Sequence, residues 1–385
     1  MKANISTLPG IYVHIPFCEQ KCGYCDFYSV TDLSAVEPFV AALMQEVERR
    51  AETVAPGTVF DTIYFGGGTP SLLSPAQLES ILDTLRRLFT FAEDTEITLE
   101  ANPGSVLERN LQAYVGMGVN RLSLGVQSFD DHELAFLGRI HDAAAARRAI
   151  EKARRAGFGN LNLDLIHSLP GQTLSRWEEN LRAALAYRPE HLSCYNLTIE
   201  QGTPFYSLMR KGELKPKTPE AELKFLEKTA EIQAQYGFYA YEISNSARDV
   251  SFISRHNYKY WNHTDYLGFG PSAHSLWQKA RRANVHSVQK YVNLIEAGKL
   301  PVAYREQLDA RTEEFEHIFL SLRTAAGIDL KEFKRKFHHS FEEQYQPLIR
   351  LLLSEGLMIR EDDQIRLTQK GLFISDEILP KFHRS

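Results

Sequence analysis

Short apolar runs alternate with amphipathic stretches over the first 200 residues. Residues 10–15, 62–65, 96–100, 121–126, 160–166 and 191–197 have the length and apolar density of buried strands. Between them, apolar residues recur at helical spacing. Val36, Phe39, Val40, Leu43 and Val47 form one stripe, and Ile81, Leu82, Leu85 and Leu88 another. Ser74-Pro75 followed by Gln77 reads as an N-cap, a proline at the first helical position and a capping-box partner. Residues 142–156, ended by Gly157, and residues 173–187 are two further helices. This alternation predicts an α/β fold with a parallel sheet. It is either a partial (β/α)6 TIM-like barrel or a doubly wound sheet, with helices outside and working residues at the C-terminal strand ends.

The pattern then changes. Residues 200–300 are richer in aromatic side chains and less regular. Beyond 305 the chain predicts a helix over 341–354 stopped by Gly356, a hairpin of 357–360 and 364–367, and a helix again over 368–379. That order suggests a small winged-helix-like α+β domain, so the expected domains are 1–300 and 301–385. A nucleic-acid-binding wing would be basic, whereas residues 305–385 carry a net charge of −2. The small domain therefore reads as structural or partner-facing.

Composition narrows the class. The 385 residues are 43% apolar and 24% charged, with a net charge of −5. This is the profile of an ordinary globular protein, and it speaks against bulk binding to nucleic acid or anionic membrane. No apolar run approaches 18 residues, so no membrane-spanning helix is expected. Residues 1–10 hold one lysine and no long apolar region, so no secretory signal is read there and a cytoplasmic location is expected.

Four cysteines occur, and three of them, Cys18, Cys22 and Cys25, fall directly after the first strand. A structural zinc site wants four ligands, and no histidine or fourth cysteine lies at zinc-pair spacing. A disulfide is disfavoured in a reducing compartment. A [4Fe–4S] cluster fits better: three cysteines fill three corners and leave one iron open to a small chelating ligand. Cys194, within an apolar strand, reads as a packing thiol.

Cys18-x3-Cys22-x2-Cys25, with Tyr24 before the last cysteine, resembles the radical S-adenosylmethionine (SAM) superfamily. Ile11-Tyr-Val-His-Ile-Pro-Phe-Cys18, Gly66-Gly-Gly-Thr-Pro70, Gly125-Val-Gln127-Ser-Phe and the following Arg139 resemble its oxygen-independent coproporphyrinogen III oxidase branch. The resemblance covers nearly the whole chain. Within the branch, Phe27 stands where the oxidase carries an additional cysteine, and the oxidase's longer N-terminal extension is missing. His256-Asn257-Tyr258-Lys259-Tyr260-Trp261 matches the HNxxYW motif of the heme chaperones. The chain is therefore most similar to the HemW-type heme chaperone family.

That resemblance implies a set of sites. Cys18, Cys22 and Cys25 would ligate the cluster. Gly67, Gly68 and Thr69 would meet the methionyl amino group of SAM, and Glu100 its amino group or ribose. Arg139 would face the SAM carboxylate and Asp164 the ribose hydroxyls. Gln127 carries over as a further contact, and Tyr12 and Tyr24 would wall the cluster and adenine. His256 would be an axial ligand to heme iron, with Asn257 in the same motif and Tyr260 and Trp261 stacking on the porphyrin. Heme and heme-acceptor proteins are the implied partners, and dimerisation stays open. No catalytic residue is assigned. The alternatives are the oxidase activity itself, or a radical-SAM enzyme acting on another substrate.

Overall fold

The computed structural model describes residues 6–383; residues 1–5, part of the N-terminal stretch read above for a signal, lie outside that range. Six strands form where the apolar runs predict them: β1 (Gly10–Ile15), β2 (Val59–Gly67), β3 (Thr90–Ala101), β4 (Arg121–Gln127), β5 (Leu161–His167) and β6 (His191–Asn196). They pair in that order and all in parallel. Among the described residues no pairing closes β6 onto β1, so the barrel is partial and open on one side.

The helices cover its outside and bury their apolar stripes against the sheet. Their ends follow the predicted caps. Ser74 and Gln77 form the reciprocal capping box, Asp142 caps the Ala143–Ala156 helix, and Gly157 ends that helix in the left-handed conformation at φ 104°.

The aromatic-rich region is more regular than its sequence suggests. It supplies β7 (Tyr239–Ala240), β8 (Asn245–Ala247), β9 (Tyr266–Phe269), β10 (His274–Trp277) and β11 (Ala280–Asn284), and β12 (Val302–Gln307) follows. These extend the sheet at both edges, giving the order β12-β11-β10-β9-β1-β2-β3-β4-β5-β6-β8-β7. β9 runs parallel to β1, and the outer strands are antiparallel. The large sheet thus continues past residue 300.

A second core, from Ile318 to Phe382, belongs to the small C-terminal unit. Its sheet is antiparallel: β13 (Ile328–Asp329), β15 (Gln364–Leu367) and β14 (Met358–Glu361). The hairpin matches the prediction, but the helix expected over 341–354 divides into Phe341–Gln344 and Gln346–Ser354. Pro347 is the reason: it offers no N–H to the preceding turn, and its ring crowds that turn's carbonyl, so it fits only in the first turn of a new helix. The last helix likewise divides, at Ile374.

Candidate functional site

The loops after the parallel strands enclose a cleft of about 390 Å³. All three clustered cysteines line it and all three are free thiols. Gly67, Gly68, Thr69, Glu100, Gln127, Arg139, Asp164 and Tyr24 line it as well. The residues predicted for cluster and SAM therefore converge, with one exception. Tyr12 is not at the cleft wall; it lies behind it, with its ring 6.1 Å from that of Tyr64 and its hydroxyl 3.0 Å from His14 Nδ1.

The glycine loop and the cysteine loop are locked together. Gly68 N–H donates to Ile15 O (2.9 Å) and Thr69 N–H to Phe17 O (2.7 Å). A Cβ on Gly68 would come within 2.6 Å of Phe17 O, so only glycine allows this approach. The Thr69 hydroxyl reaches Cys18 Sγ at 3.5 Å. On the far wall, Arg139 donates to Gly125 O (2.9 Å) and lies 3.6 Å from Cys22 Sγ. Its Nε is buried without a partner among the described residues. A Cβ on Gly125 would crowd the side-chain ends of Gln127, at 3.0 Å, and Arg139, at 3.4 Å.

Two carboxylates sit below the glycine loop. Glu100 accepts from Tyr64 O–H (2.7 Å) and Gly67 N–H (3.2 Å). Burial raises its carboxyl to about 7, against the lowering pull of the Tyr64 bond. Asp164 accepts from Ser123 O–H (2.9 Å) and Asn162 Nδ2–H (2.8 Å), and burial pushes it up too. Strand register builds this network: Glu100 pairs across to Ser123, and Ser123 to Asn162. Tyr64, Ser123, Asn162, Ser193 and Tyr195 also line the cleft and were not singled out in the sequence. They repeat at i, i+2 within strands (Ser123, Gly125, Gln127; Asn162, Asp164), which is the period of a polar inner face.

The donor set suits an iron–sulfur cluster. Three soft thiols share one loop, and a cluster takes one thiolate per iron. Among the described residues, no three His, Cys, Asp or Glu side chains form a group able to hold a single metal ion.

The HNxxYW segment lies mostly behind the cleft wall. It forms the Arg255–Trp261 helix, whose first N–H groups, on Arg255 and His256, donate to the Glu96 carboxylate at 3.1 Å each. His256 is buried, with Nδ1 2.8 Å from Thr62 Oγ1 and Nε2 3.0 Å from the Tyr260 hydroxyl. Its ring stacks on Tyr64 at 5.1 Å. An axial ligand needs a free nitrogen lone pair, and both nitrogens are engaged, so this arrangement does not present His256 to an iron. Asn257 lines the cleft; Tyr260 and Trp261 do not. Cys194 is a buried packing thiol, as its strand context predicts.

Residues 12–184 match the family model of the Radical SAM superfamily, and residues 308–374 that of the HemN C-terminal domain. A protein named heme chaperone HemW from Bacillus subtilis (strain 168) is 38% identical over 380 residues, which cover 97% of this chain and 99% of that one. The chain belongs to the HemW family of radical SAM proteins. A HemW of Lactococcus lactis subsp. lactis is 32% identical over 373 residues, covering 96% of each chain. Among solved structures, the coproporphyrinogen III oxidase HemN of Escherichia coli superposes with a TM-score of 0.84 at 24% identity, covering 99% of this chain and 92% of that one. It shares the fold, including the small C-terminal domain. Membership of the radical SAM superfamily implies a [4Fe–4S] cluster and SAM. The cleft holds donors of the right chemistry for both.

Proposed function

We propose that the protein is a heme chaperone, which binds heme and passes it to acceptor proteins in the cytoplasm while carrying a [4Fe–4S] cluster and SAM in the cleft. The observation that carries this reading is the near-full-length similarity to the HemW relatives. The HemN likeness, at 24% identity, speaks to the fold alone.

In this reading Cys18, Cys22 and Cys25 hold the cluster. When bound, the cluster supplies an open iron for SAM and an electron-transfer centre. The chain's own residues bind and orient SAM. Glu100, ionised, would pair with the ammonium group, and carbonyl oxygens of the Gly67–Gly68–Thr69 loop would accept its remaining hydrogens. Arg139 carries the charge that a carboxylate needs, and Asp164 accepts ribose hydroxyl hydrogens. Tyr24, packed 6.3 Å from Phe205, and Gln127 close the sides. Phe27 stands two positions beyond the last cluster cysteine, lines the cleft and is 66% exposed. A thiol there would be an additional soft group beside the cluster; a phenyl ring has no donor.

The test compares two outcomes in one preparation. Cluster-loaded protein is incubated anaerobically with coproporphyrinogen III, SAM and reductant, and the porphyrin products are analysed. The chaperone reading expects no protoporphyrinogen IX and no rescue of a heme-auxotrophic strain lacking the oxidase. Formation of protoporphyrinogen IX, or growth of that strain without heme, contradicts it.

A further inference from the structure

Beneath the cleft, inside the barrel, a buried cation stands without a partner. Arg121, the first residue of β4, is 1% exposed. All three of its side-chain nitrogens are buried with no hydrogen-bond partner among the described residues. Leu122 and Leu124 belong to the main hydrophobic core, whereas Ser123 and Gly125 line the cleft. By the two-residue period of a strand, Arg121 shares the inner face with Ser123 and Gly125.

Register sets its neighbours. Arg121 pairs with Thr98 on β3, and Thr98 with Tyr64 on β2. One inner-face step further up, Glu100 pairs with Ser123, and the Ser123 hydroxyl donates to Asp164 at 2.9 Å. Arg121 therefore lies one level below the two cleft carboxylates. It does not line the cleft itself.

A guanidinium keeps its proton inside a protein, and a buried cation is costly unless an anion answers it. The other groups that face Arg121 supply no anion. Burial, with the Arg121 charge added, holds His191 and His256 well below the usual imidazole range, so both rings are neutral. His191 is also fixed at both nitrogens, 2.6 Å from Asn162 Oδ1 and 2.8 Å from the Tyr241 hydroxyl. Burial raises the Tyr64 and Tyr241 phenols and keeps them neutral. The same holds for Tyr12, Tyr195 and Tyr260, which surround Glu100. Deeper in the barrel the charges are already answered: Lys259 pairs with Asp61 at 2.6 Å, and Glu96 accepts the N–H groups of Arg255 and His256. That leaves Glu100 and Asp164. Burial raises both carboxyls, and the Arg121 charge pulls both back down.

Resting on the SAM-binding reading above, we propose that Arg121 is a positioning residue for SAM: its buried charge, one level below Ser123 on the inner face of β4, holds Glu100 and Asp164 as carboxylates ready for the ligand. Arg121 touches neither the ligand nor the cluster and acts through the two acids. One cation beneath two carboxylates leaves one negative charge over, and the ammonium group of the ligand completes the balance. The cleft thus favours a cationic amino group at Glu100 over a neutral one.

The test is calorimetric titration of the cluster-loaded protein with SAM between pH 6 and 8.5, for wild type, Arg121→Met and Arg121→Lys. In wild type the affinity rises with pH and levels off. In Arg121→Met the levelling-off moves up by about one pH unit or more, so affinity is about tenfold lower at pH 7 and closer to wild type at pH 8.5. Arg121→Gln, also neutral, gives the same shift and replaces the methionine variant if that one does not fold. Arg121→Lys retains the charge and keeps the wild-type profile. In a Glu100→Gln background, Arg121→Met no longer shifts the profile. A folded neutral variant whose affinity falls equally at every pH has lost only structural support, which overturns the proposal; so does a neutral variant that binds as wild type does. Wild-type protein that binds no SAM at any pH overturns the SAM-binding reading, and this inference with it.

Discussion

In the proposed reading, Glu100 is the residue on which SAM affinity turns. Its carboxyl titrates at about 7, raised by burial above the ordinary carboxylate range. A raised carboxyl pKa favours the protonated form in the folded protein. Its contribution to ligand-free stability is therefore full below the unfolded pKa and fades as pH rises through 7. SAM brings a cation and favours the ionised form, so the sign for binding is opposite. Affinity should fall by up to about tenfold per pH unit below 7 and level off above it. Calorimetric titration with SAM at pH 6, 7 and 8 checks this. In Glu100→Gln the pH dependence should vanish, with affinity lower by roughly 2 kcal/mol at pH 8, the worth of a hydrogen bond to a charged group. Gly68→Ala makes a steric test of the same corner. Its methyl would meet two backbone carbonyl oxygens, at 2.6 and 2.9 Å, and neither is a flexible side-chain end. The variant should melt lower and lose SAM binding, measured by thermal unfolding with and without the ligand.

At the scale of elements, the Arg255–Trp261 helix ties β2 and β3 to the segment that leads into β1. Lys259 and Asp61 form an ion pair of 2.6 Å with both side chains buried, and Lys259 also donates to Leu8 O. Removing one partner leaves a buried charge uncompensated, so Lys259→Met should cost about 3–5 kcal/mol of stability in denaturant unfolding. Asp61→Leu in the same chain should restore part of that loss. The sequence made the parallel strands and their caps legible because buried parallel strands are continuous apolar runs. The outer strands escaped it for physical reasons. β11 reads Ala-Arg-Arg-Ala-Asn, with no apolar run. The turn joining it to β10 uses Gln278 and Lys279, both at positive φ, where Asn-Gly is the usual mark of such a hairpin. The residues proposed for cluster and SAM stand in legible motifs and line one cleft, whereas Tyr64, Ser123 and Asn162 acquire meaning only when strand register brings them to Glu100 and Asp164. For His256 a motif fixes sequence neighbours, and only the fold shows that both its ring nitrogens are engaged inside the barrel.

The whole molecule places two pockets on one frame: a cleft at the strand ends with the cysteines, and an aromatic pocket where the small domain meets the barrel. Among the described residues no helix is long and apolar enough to cross a membrane. Anaerobic reconstitution should load about four irons per chain, as a cluster with three cysteine ligands and one open site requires. The Cys18→Ala, Cys22→Ala, Cys25→Ala triple variant should lose that iron and with it SAM binding; iron analysis and a SAM titration of the same sample read both. The central claim, that this radical SAM frame carries heme, is tested most directly by anaerobic titration of the cluster-loaded wild-type chain with heme, followed by difference absorption. The account predicts saturation at one heme per chain and transfer of that heme to an added apo-acceptor. A linear, unsaturating response equal to that of heme in buffer would contradict it.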